Sequence, residues 1–71
     1  MLPPTLRPLL VDRGLSVRML ADQVGVSAQA AYDWCARRRR PASHRIRAIA
    51  DALGVTVKQI ERRIAPRGTA G

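Results

Sequence analysis

The sequence predicts an all-α fold, a single compact bundle of five short helices. Three observations carry this reading. Apolar residues recur at helical spacing in five short segments, and each segment is bracketed by the Ser, Thr, Gly or Pro that start and stop helices. Strict apolar–polar alternation never lasts long enough for a strand. With 71 residues, about half a typical domain, all five stripes must meet in one core.

The first helix is expected to start with Thr5 as its N-cap and to run to about Arg13, with Leu6, Leu9 and Leu10 as its apolar stripe. Pro8 falls in the first turn, where a missing N–H costs nothing, and Gly14 supplies a left-handed stop. Ser16 caps the second helix, Val17 to Val24, whose inward face is Leu20, Ala21 and Val24. Gly25 ends it, and Ser27 caps a third helix from Ala28 to about Cys35. Only Gly25-Val26-Ser27 separates these two, the short connection of a helix-turn-helix unit. Ala42 or Ser43 starts the fourth, where Ile46, Ile49, Ala50 and Leu53 form the cleanest amphipathic pattern before Gly54. Thr56 caps the fifth, Val57 to about Ile64, with Val57, Ile60 and Ile64 on one face and Pro66 closing it. Residues 1–4 and 66–71 read as flexible termini around a domain at 5–65.

Composition narrows the function. The chain is 46% apolar, too much for a disordered polycation, yet carries thirteen basic residues against five acidic ones, a net charge of +8. That excess selects polyanionic partners, nucleic acid first. Twelve of the thirteen cations are Arg, and six fall within residues 37–47 with no acid among them. A GC-rich gene also inflates Arg, but does not explain that clustering. No apolar run approaches the ~18 residues of a membrane span, and the N-terminus lacks the pattern of a signal peptide. One Cys cannot form an internal disulfide, and Cys35 with His44 supplies too few ligands for structural zinc. Cys35 and His44 are also the only nucleophile and base of the usual kind, and they fall on different helices. We therefore expect a cytoplasmic protein that is no enzyme and needs no metal or cofactor.

The order and spacing of Gly14-Leu15-Ser16, Leu20-Ala21, Gly25-Val26-Ser27, Trp34, Pro41 and Ile49-Ala50-Asp51-Ala52-Leu53-Gly54-Val55 resemble the lambda-repressor-like DNA-binding fold of the Cro/Xre family. The resemblance runs from Leu6 to Ile60. It implies five helices, double-stranded DNA bound through the third, and a homodimer on a pseudo-palindromic operator. Three positions depart from the family pattern. Val17 stands where Gln commonly touches phosphate, and Leu10 with Cys35 replaces an Arg–Glu pair, a neutral exchange for the fold. Arg37 stands where Gly usually ends the third helix. Either the backbone still turns left-handed there, at roughly 1 kcal/mol, or the loop takes another shape.

On a helical wheel Ala28, Gln29, Tyr32, Asp33 and Ala36 share one face of the third helix, opposite Ala31 and Trp34. Small residues at its start permit close approach to base edges. Gln29 suits adenine N6 and N7, and Ala28 a thymine methyl. Tyr32 suits a phosphate or sugar. Asp33 either accepts from cytosine N4 or repels phosphate at wrong sites. Trp34 faces the core rather than stacking on a base. The expected phosphate contacts are Arg18, Ser27, Arg37, Arg38, Arg39, Arg40, Ser43 and Arg45, with Arg47 as an alternative to Arg45. Six such contacts in a dimer would give a log–log salt slope of roughly −5.

The expected role is a sequence-specific transcriptional regulator, a small repressor of phage or mobile-element type. The alternatives are an excisionase or architectural factor, which would add a β-wing, and an antitoxin-type DNA- and protein-binding module. Val17 and Met19, apolar at positions expected to face solvent, would serve a partner in that last case. Helix 5 and its neighbours, through Val55, Val57, Ile60 and Ile64, either form the dimer contact or simply cover helices 1 and 4.

Overall fold

The structure, a computed structural model, describes residues 4–65. Five helices follow in chain order: α1 (Arg7–Asp12), α2 (Val17–Val24), α3 (Ala28–Cys35), α4 (Ser43–Leu53) and α5 (Val57–Glu61), with no strand among the described residues. The expected flexible segments at 1–3 and 66–71, and the stop at Pro66, lie outside them.

Local chemistry sets most of the boundaries. Ser16 Oγ accepts from Met19 N at 3.1 Å and Ser27 Oγ from Ala30 N at 3.2 Å. Thr56 and Gln59 cap α5 reciprocally, side chain to backbone in both directions. Caps of this kind contribute about 1 kcal/mol each. Four helices then stop by one device. A residue in left-handed conformation follows the helix, and the next N–H bonds back five residues: Leu15 to Leu10, Val26 to Ala21, Arg38 to Asp33, and Val55 to Ala50. The left-handed residue is Gly14, Gly25 or Gly54 in three cases and Arg37, at φ 60°, in the fourth.

Four expectations need correction. The N-cap of α1 is Leu6, without a side-chain cap, and not Thr5, whose carbonyl accepts from Arg63 Nη1 at 2.9 Å. Helix α5 ends at Glu61 rather than near Ile64, because Arg63 N bonds Ile60 O three residues back and tightens the turn. Val57 sits at the exposed start of α5, so Ile60 and Ile64 bury without it. Val17 is buried, leaving Met19 as the exposed apolar residue of α2.

The core collects Leu6 and Leu10 from the first turns, Leu20 from α2, Ala31 and Trp34 from α3, Ile46, Ile49 and Leu53 from α4, and Ile60 with Ile64. Fully burying one such large side chain is worth about 1.5–3 kcal/mol. Helix α2 packs on both α3 and α4, and α5 closes on α4. Arg45 Nη1 fastens α4 to the end of α2 by donating to Val24 O at 3.0 Å. Leu10 and Cys35 both lie in this core, an apolar pair at the two positions singled out above. The result is a scaffold that holds α3 by one side only.

Candidate nucleic-acid interface

Three residues of α3, Ala31, Trp34 and Cys35, are buried, and they fix its rotation about its own axis. The opposite side is consequently turned outward: Gln29, Tyr32 and Ala36 are exposed, and Ala28 and Asp33 are half-buried. The rigid turn through Gly25, at φ 84°, and the Ser27 cap set the angle at which α3 leaves α2. A polar ridge with small residues at its beginning therefore stands on a rigid helix, with no flexible loop supplying its parts.

The ridge is internally wired. Gln29 Nε2 donates to Asp33 Oδ1 at 3.2 Å, and Arg38 Nε lies 3.3 Å from the same oxygen. The Asp33 side chain retains 14% of its accessibility, against 65% for Arg38. Sequence reading placed Gln29 and Asp33 on one face but missed their bond. The signal was present, since residues four apart on a helix are neighbours. Tyr32 reaches sideways as well, lining a shallow pocket with Arg7, Leu10, Val11, Leu15, Ser16 and Val17.

The arginine run does not act as one block. Arg37 Nη1 donates to Pro4 O at 3.0 Å and to Arg62 O at 3.4 Å. Arg40 Nη1 donates to Ala65 O at 3.0 Å, and its Nη2 pairs with Glu61 Oε2 at 3.1 Å. These two turn back onto the protein, as Arg45 does toward Val24. Arg38 and Arg39 face solvent, as do Arg18 at the start of α2, Ser27 at the α3 cap, Ser43 at the start of α4, and Arg47. The two ends of the run therefore fold back onto the protein and its middle pair points outward. A guanidinium has five N–H donors, so the inward ones keep unused donors for a ligand at the rim.

No group of three His, Cys, Asp or Glu that could hold a metal occurs among the described residues. Cys35 is buried, and that burial pushes its thiol above the ordinary range while Arg7 pulls it partly back. A neutral, enclosed thiol is a poor nucleophile. No helix among the described residues is long and apolar enough to cross a membrane.

Comparison with known proteins agrees with this geometry. A family model described as helix-turn-helix matches residues 6–60, most of the chain and all of α1 to α4. No curated protein matches the sequence.

Proposed function

The chain belongs to this helix-turn-helix family of Cro/Xre-type DNA-binding transcription regulators, and from that premise we propose that it is a sequence-specific repressor of phage or mobile-element type. It acts by occupying a double-stranded operator in the cytoplasm. The observation that supports this best is α3 itself, locked by Trp34 on one side and presenting Ala28, Gln29, Tyr32 and Asp33 on the other. In this reading that ridge enters the major groove, and Gln29 reads adenine.

Arg18, Arg38 and Arg39, with the Ser27 and Ser43 hydroxyls, grip the sugar-phosphate backbones. Arg37, Arg40 and Arg45 contribute from the rim through their remaining N–H groups. One such helix reads few base pairs, so the functional unit is a homodimer with half-sites ~34 Å apart. An excisionase would need a β-wing after the recognition helix, and residues 43–53 are helix α4 instead. Exposed Met19 and Val57 keep an antitoxin-type protein contact as the second reading.

The test is Gln29→Ala, assayed on duplexes selected from a randomised pool. Specific binding should weaken by about 1–3 kcal/mol with non-specific binding unchanged. Equal loss on every sequence would sink the assignment.

A further inference from the structure

We propose that Asp33 is a specificity-determining residue that acts through Gln29, by occupying one of its two amide hydrogens so that the ridge reads adenine and rejects guanine. This rests on the reading above, in which Gln29 faces the bases.

A glutamine amide carries two N–H donors and an oxygen with two lone pairs. Left free, it can serve adenine, which shows the N7 acceptor and the N6 donor in the major groove, or guanine, which shows two acceptors, N7 and O6. Serving guanine through both acceptors takes both N–H groups. In this structure Gln29 Nε2 already donates to Asp33 Oδ1 at 3.2 Å, and Arg38 Nε forms an ion pair with the same oxygen at 3.3 Å. The side chain of Asp33 retains only 14% of its accessibility, so its carboxylate has little freedom to turn away from Gln29. What remains for a base is one donor beside one acceptor. That pair complements adenine, whereas against guanine the amide oxygen would abut O6 with no hydrogen between them.

Asp33 thereby also explains itself. A carboxylate on a face that approaches phosphates is costly, and a bond that sharpens base selection gives it a reason to be there. Arg38 enters the same arrangement. Its Nε pairs with Asp33, and its terminal nitrogens make no bond among the described residues, so one carboxylate lies between the reading side chain and a phosphate-gripping one.

The experiment selects bound sequences from a pool of randomised DNA duplexes with the full chain and three variants, each first checked for native helix content by circular dichroism. Gln29→Ala should erase the adenine preference at one position of each half-site. Asp33→Ala should convert that position to a mixture of adenine and guanine, lowering the preference on the order of ten-fold, with the other positions unchanged. Asp33→Asn keeps an oxygen acceptor without the charge and should retain most of the preference. If Gln29→Ala erases the preference but Asp33→Ala keeps it, the role of Asp33 is overturned while the base contact stands. If Asp33→Asn behaves like Asp33→Ala, charge rather than donor capture is at work and the proposal fails. If Gln29→Ala leaves every position unchanged, the base contact itself is wrong and both readings fall.

Discussion

The turn leaving α2 and the turn leaving α3 share one backbone design and differ in what they do with it. Both place a left-handed residue after the helix and bond the following N–H five residues back. At the end of α2 these residues are Gly25 and Val26, and Val26 packs against the core. At the end of α3 they are Arg37 and Arg38. Arg38 is largely exposed, and Arg37 carries a backbone conformation that costs a side-chain-bearing residue about 1 kcal/mol. The turns after α1 and α4 follow α2, with Leu15 and Val55 against the core. Of the four turns, only the one that leaves α3 gives up apolar packing for charge. At this corner charge replaces apolar packing, and long-range bonds from Arg37 and Arg40 make good part of the loss.

The sharpest way to break this contrast is to divide the arginine run by direction. Replacing Arg37 and Arg40 together by Ala should lower stability by about 2 kcal/mol, the scale of lost charge-assisted hydrogen bonds that are partly screened by solvent. Urea denaturation measures this. Replacing Arg38 and Arg39 should leave the urea midpoint nearly unmoved but reduce the log–log salt slope of DNA binding by about two per bound chain. An unchanged slope would remove the outward pair from the phosphate contacts.

A smaller effect tests whether the two backbones are alike. Gly25→Ala should cost about 1 kcal/mol, because an added Cβ meets nothing closer than Arg45 Nη1 at 3.9 Å and only the left-handed conformation resists it. At the other turn, Arg37→Gly should be more stable than Arg37→Ala by a similar ~1 kcal/mol, since both lose the same side-chain bonds. Unequal differences would mean that the two stops are not equivalent.

The smallest effect concerns pH. Burial raises the Cys35 thiol above its ordinary value, so the folded chain holds that proton more tightly than the unfolded chain. This contribution is full below the ordinary thiol range, about 8.5, and is lost as pH rises through the folded-state value. Stability measured across alkaline pH should therefore decline less steeply in Cys35→Ala than in the parent chain.

How far the fold was legible follows the reach of the interactions. Ser16, Ser27 and Thr56 act within one helical turn, and so do Gly14, Gly25 and Gly54. Their elements could be placed from sequence with few errors. The start of α1 was misjudged because Thr5 is governed by Arg63, 58 residues away. Val17 was misassigned because a first-turn residue faces inward or outward according to what packs over it, which no local pattern encodes. The face of α3 was readable from the wheel, down to the core position of Trp34. The splitting of the arginine run was not, since the partners of Arg37 and Arg40 lie 21 to 33 residues away.

Those same long-range bonds make the domain almost a ring. Arg37 holds Pro4, Arg63 holds Thr5, and Arg40 holds Ala65, so the first and last described residues are stitched to one another and to the exit of α3. Tension applied at the two ends would meet this seam before it reached any helix. Peeling away either end would slacken the other, together with the corner that carries Arg38.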